Sequence, residues 1–119
     1  MADPGLEVMR GSLDVLILKA LSFGPAHGYS VSRWIRHVTD EALQIEEGAL
    51  YPALHRLERR RSVEADWGLS ENNRKAKFYR LTPRGRRELT SETSAWLQFA
   101  QAVAKVLNAT AGAGVEEAS

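Results

Sequence analysis

Between Arg56 and Arg87 the chain carries eleven of its sixteen lysine and arginine residues but only four acidic ones, a local net charge of +7. The remainder holds five basic and eleven acidic residues, a net of −6, so an overall charge of +1 conceals a strong polarity. Guanidinium and ammonium groups massed in one segment suit a polyanion, while the acidic remainder repels it. Other chemistries lack their parts. His27, His37 and His55 have no mutual spacing that would bind a metal or build a triad, and are read as surface or capping residues. Glu46 and Glu47 are adjacent, so their carboxylates point apart and form no acid/base pair. With no cysteine there is neither disulfide nor thiolate nucleophile. No phosphate-cradling glycine loop is present, and no enzyme activity, cofactor or metal is expected.

The elements that must hold these cations follow from periodicity. Ser12 is a good N-cap, and Leu13, Leu16, Ile17, Ala20 and Leu21 recur at helical spacing up to Gly24-Pro25. Val15 and Leu18 widen this stripe, which implies burial on two sides, the second against a partner subunit. From Tyr29 to Val38 a second amphipathic helix places Val31, Trp34, Ile35 and Val38 inward. A polar break with Leu43 and Ile45 alternating, read as a brief strand, precedes a third helix opening near Gly48. At 100° per residue Leu50, Ala53, Leu54, Leu57 and Arg61 share its core face, while Ala49, Pro52, His55, Arg56 and Arg59 lie opposite and Tyr51 is on the flank.

Val63 to Leu69 and Ala76 to Leu81 are β-prone runs joined by a basic tip, in which Asn72-Asn73 tolerates the positive φ of a tight turn. Thr82-Pro83 then starts a long helix to about Leu107. Along it Leu89, Trp96 and Val103 repeat every seven residues, and Phe99, Val106 and Leu107 complete an apolar seam. The fold class is mainly α with a small β component (α+β), a winged helix-turn-helix with a C-terminal dimerisation helix. Residues 1–11 are expected as a flexible arm, 12–83 as the DNA-binding domain, 84–107 as the dimerisation helix and 108–119 as a flexible tail.

In this arrangement the third helix enters the major groove and the flanking elements hold phosphates. The expected recognition-helix contacts are Gly48, Ala49, Tyr51, Pro52, His55, Arg56 and Arg59. Those of the wing are Asn73, Arg74, Lys75 and Lys77, and those of the second helix to the DNA backbone are Tyr29, Ser30, Ser32 and Arg33. Tyr51 has a second reading, in which its ring only packs between the second and third helices. Leu13, Leu16, Ile17, Trp96, Phe99, Val103 and Val106 are assigned to a homodimer interface through the first and last helices, with Trp96 either plain interface core or the stacking surface for a small hydrophobic effector. No membrane segment is expected, and a cytoplasmic location follows from that reading.

Glu47-Gly48-Ala49-Leu50-Tyr51-Pro52-Ala53-Leu54-His55-Arg56-Leu57-Glu58 resembles the recognition-helix motif of the PadR family of bacterial transcriptional regulators. Gly24-Pro25-Ala26-His27-Gly28-Tyr29, Phe78-Tyr79-Arg80-Leu81-Thr82 and Gly85 match the family in order, and the similarity spans Gly11 to Leu107. The resemblance implies a homodimeric repressor on an inverted-repeat operator, released by small aromatic or amphipathic compounds. It also implies the short-tailed branch, whose last helix crosses the partner's first. The alternative is a winged-helix module that binds protein or ligand without specific DNA recognition, against which the +7 segment argues. One departure stands out: Arg61-Ser62 replaces the family's usual glycine and aliphatic residue, so the third helix runs on or ends without a left-handed glycine.

Overall fold

The computed structural model describes residues 4–112, with side chains from 12 onward. Its elements are α1 (Pro4–Leu21), β1 (Ala26–His27), α2 (Gly28–Val38), α3 (Glu47–Arg59), β2 (Val63–Leu69), β3 (Lys75–Leu81) and α4 (Pro83–Leu107). The outermost parts of the two expected arms, residues 1–3 and 113–119, lie outside the described residues. Helix α1 begins at Pro4 rather than Ser12. Proline suits a first helical turn because its missing N–H would be unpaired there anyway, and Gly11 sits inside the helix without ending it.

The core lies where α1, α2 and α3 meet the sheet. Leu13, Ile17, Leu18 and Leu21 of α1 pack with Val31 and Ile35 of α2, Leu50, Ala53, Leu54 and Leu57 of α3, and Val63, Tyr79 and Leu81 of the strands. Each fully buried aliphatic side chain contributes about 1.5–3 kcal/mol, and truncating Leu54 to alanine costs about 2–5 kcal/mol. Leu13 and Ile17 were assigned to a dimer interface; both are buried within this chain, 2% and 0% exposed, and have no surface left to offer a partner. The reason is that α1 lies across both other helices, so its stripe turns inward. Of its apolar residues, Val15 and Leu16, half-buried, line the groove toward α4.

The sheet has order β1-β3-β2 and is antiparallel, with Val63 opposite Leu81, Trp67 opposite Lys77 and Ala26 opposite Tyr79. Its third strand is supplied by Ala26-His27, a segment read from sequence as turn. No strand forms at Leu43 and Ile45. Asp40 and Glu41 both take positive φ, 51° and 67°, and turn the chain away, leaving Leu43 and Ile45 partly buried against the core.

Helix α3 ends where the glycine is missing, and Arg61 takes its place: its φ is +63°. The Ser62 amide bonds to the Leu57 carbonyl at 2.9 Å and the Arg61 amide to the Glu58 carbonyl at 3.0 Å, the paired bonds of a Schellman cap. The helix is thus over before Arg61 can point at the core, and its side chain is exposed. Thr82 caps α4, accepting from the Gly85 amide at 3.0 Å while its hydroxyl donates to the Arg61 carbonyl at 2.6 Å. A Cβ on Gly85 would lie 2.0 Å from the Ser62 carbonyl oxygen, so the glycine lets α4 dock against the end of α3.

Candidate nucleic-acid interface

Burying Leu50, Leu54 and Leu57 obliges the opposite side of α3 to face solvent. Gly48, Pro52, His55 and Arg59 are exposed there, and Ala49 is half-buried against the core. Pro52 sits inside the helix without an N–H to donate to the carbonyl four residues back. Glu46 is the N-cap residue but makes no side-chain cap, and it and Glu47 put two exposed carboxylates beside the helix start. Tyr51 reconciles its two readings. Its ring rests on Gly28, where an added Cβ would come within 3.0 Å of it, yet the residue stays 38% exposed.

Arg56 departs from the expected group. It turns to α1, where its Nη2 donates to Asp14 Oδ1 at 3.0 Å. Arg60 joins it there, donating to Asp14 at 3.2 Å and to Glu88 of α4 at 2.5 Å. Glu88 also accepts from the Ser62 hydroxyl at 2.6 Å. Burial alone would raise the Glu88 pKa, but the bonds from Ser62 and Arg60 outweigh it and hold the carboxyl below the usual range. These residues fasten three helices together rather than facing outward. Position on the helix sets where the Arg56 stem leaves the backbone, and the long side chain bends from there to the Asp14 carboxylate.

The wing stands beside α3, sharing a cleft with Tyr51 and His55. Its tip closes with the Ser70 amide on the Arg74 carbonyl at 2.8 Å and with Asn73 at φ +58°, the left-handed conformation expected of Asn72-Asn73. Asn73, Arg74 and Lys75 are exposed. Lys77 is not equally available. Its Nζ donates to Glu58 of α3 at 3.1 Å and lies 5.5 Å from the Tyr79 ring, and the bond to Glu58, opposed by desolvation, raises its pKa. On the outer face Arg80 bridges Glu64 and Asp66.

Helix α2 closes the third side. His27 is its N-cap, its Nδ1 accepting from the Ser30 amide at 3.2 Å, which fulfils the capping reading of that histidine. The Ser30 hydroxyl stays beside His27, and the Ser32 hydroxyl donates to the Tyr29 carbonyl at 3.0 Å, so both serines are engaged within their own helix. Tyr29 and Arg33 project outward, the guanidinium 5.5 Å from the ring. Together α2, α3 and the wing enclose an open cleft of about 720 Å³ whose lining carries Arg33, Arg74, Lys75 and Lys77 against a single carboxylate, Glu71. Trp67 of β2 also lines it and was not among the residues expected there. Its signal in the sequence was a large aromatic side chain in a strand otherwise short of core partners.

A second, apolar groove of about 900 Å³ runs between α1 and α4, lined by Val15, Leu16, Leu89, Trp96 and Leu97. The Trp96 indole N–H donates to Ser12 Oγ at 2.9 Å, and Phe99, Val103 and Val106 beyond it are exposed. Among the described residues, no group of three or more His, Cys, Asp or Glu could hold a metal ion, and no helix is long and apolar enough to cross a membrane.

A helix presented beside a basic-tipped antiparallel wing, with a long helix after it, defines a winged helix-turn-helix protein of the DNA-binding class. Residues 17–91 match the Transcriptional regulator PadR-like family, and the chain belongs to that family. It is therefore a transcriptional regulator rather than an enzyme. It is similar to a transcriptional regulator from Clostridium thermocellum, at 33% identity and a TM-score of 0.75 over 83% of this chain and 96% of that one. A PadR family regulator from Eggerthella lenta is 31% identical with a TM-score of 0.72, covering 89% and 90% of the two chains. A protein of Lysinibacillus sphaericus is 31% identical over 97 residues, 82% of this chain and 89% of the relative.

Proposed function

We propose that the chain is a homodimeric repressor that binds an inverted-repeat operator, and that a small, flat hydrophobic compound releases it. The observation that carries this reading is the cleft between α2, α3 and the wing, whose four cations border the exposed side of α3. Gly48, Pro52, His55 and Arg59 meet base edges, Arg74 and Lys75 hold the phosphates flanking the groove, and Tyr29 and Arg33 hold the opposite strand's backbone. Asn73 lets the tip turn tightly enough to lie along the groove.

The apolar surface left open on α4 supports a two-fold dimer. Phe99 and Val106 are 66% and 74% exposed, more apolar area than a lone helix end keeps in water, and with Val103, Leu16 and Trp96 they form a surface for a second copy. Half-sites about 34 Å apart, one turn of B-DNA, are expected for such a dimer. The effector occupies the groove beside Trp96, whose indole offers a flat face.

Transcription from a promoter carrying the protein's binding site, measured in a purified system, tests the reading. Repression that rises with protein concentration and is relieved by planar hydrophobic compounds supports it; activation of transcription overturns it.

A further inference from the structure

A single exposed apolar side chain is ordinary, but three features set Trp67 apart. It is 64% exposed on a sheet whose neighbouring positions Ala65 and Tyr79 pack inward. It stands opposite Lys77 in the register, on the same face of the ladder, and Lys77 reaches Glu58 of α3. That face therefore looks into the cleft beside the recognition helix rather than away from it. Finally, Lys75 Nζ sits 5.2 Å from the centre of the Trp67 ring, which holds an ammonium over an apolar plane.

We infer that Trp67 is a DNA-contact residue of the wing, packing its indole against a deoxyribose of the backbone while Lys75 meets the adjoining phosphate. The occupant is duplex DNA because the cleft's charge is complementary to it: Arg33, Arg74, Lys75 and Lys77 line it together with the indole, Lys77 being paired with Glu58 of α3, and Glu71 is the one carboxylate in the lining. A sugar, not a base, is the partner, since one face of the ring is already covered by the ammonium and a sugar offers apolar C–H groups to what remains. The sugar–phosphate unit is itself part apolar and part anionic, and the Trp67–Lys75 pair presents the matching halves. This contact is apolar, so it adds affinity without releasing counterions, and it does not depend on sequence.

The inference rests on the DNA-binding reading, and the test separates the two. Binding of the full-length protein to a duplex from its own promoter is measured by fluorescence anisotropy across a salt series, for the wild type, W67A, W67F and K75A, with a thermal melt of each. W67A is expected to bind about tenfold more weakly, the scale of burying roughly 50–60 Å² of apolar surface against the sugar, with the salt slope unchanged. W67F is expected to stay near the wild type, and K75A to lower the slope by about one. Wild-type binding with W67A unaffected overturns the role of Trp67 and leaves the regulator intact. A W67A loss matched by a fall in melting temperature overturns it too, by making the indole a packing group. Failure of the wild type to bind any duplex overturns both readings.

Discussion

Asp14 on α1 holds Arg56 on α3 at 3.0 Å, which turns an arginine of the recognition helix toward the scaffold. Arg59, one helical turn on from Arg56, stays exposed. Replacing the two therefore has opposite consequences. Arg56→Ala removes a partly exposed ion pair and is expected to lower stability by about 0.5–1 kcal/mol with operator preference unchanged. Arg59→Ala is expected to leave the melt unchanged and to weaken operator binding by about 1–3 kcal/mol if its contact is to a base edge. Paired thermal melts and binding titrations on the operator and on a scrambled duplex check both.

Arg61 occupies the left-handed position at the end of α3 at φ +63°. A non-glycine residue there costs about 1–2 kcal/mol, partly offset by the greater freedom glycine has in the unfolded chain. Arg61→Gly is expected to raise stability by roughly 0.5–1 kcal/mol and the Tm by a few degrees, read in a denaturant or thermal melt.

Glu88 links α4 to Ser62 and Arg60, with its pKa held below the ordinary carboxylate value. A carboxylate whose folded pKa is depressed stabilises the fold fully above its unfolded value, near 4.3, and that stability is lost as pH falls through the folded value. Acid titration of the melt is expected to show stability falling below about pH 4.3, and falling less in Glu88→Gln, which has no carboxylate there to titrate. A Glu88→Gln protein equally stable at neutral pH would contradict the role given to this carboxylate.

Much of the fold was readable from local chemistry. The strand of Val63–Leu69, the Thr82-Pro83 start of α4 and the Leu50/Leu54/Leu57 face of α3 each follow from propensity, capping or period, and each stands as expected. What escaped is set by partners distant in sequence. Ala26-His27 becomes a strand only because Phe78-Tyr79 lies beside it, and Leu13 and Ile17 look like interface residues until α2 and α3 are packed over them. The carboxylates that engage Arg56 and Lys77 escaped for the same reason: Asp14 and Glu58 lie 42 and 19 residues away in the chain. Pro52, His55, Arg59, Arg74 and Lys75 are exposed, as local pattern and turn chemistry led one to expect, with Lys75 lying over the Trp67 ring.

The central claim is that the α3 surface and the wing bind DNA through phosphate neutralisation, and the salt dependence of binding tests it most directly. Anisotropy titrations on the protein's own promoter are run from 50 to 200 mM salt, roughly the range over which six to ten phosphate contacts cost 10³–10⁵ in affinity. The expected result is a steep linear fall of log K with log salt, made shallower by about two in the Arg74→Ala/Lys75→Ala double variant. Affinity that is independent of salt, or equal with and without the two wing cations, would contradict the account.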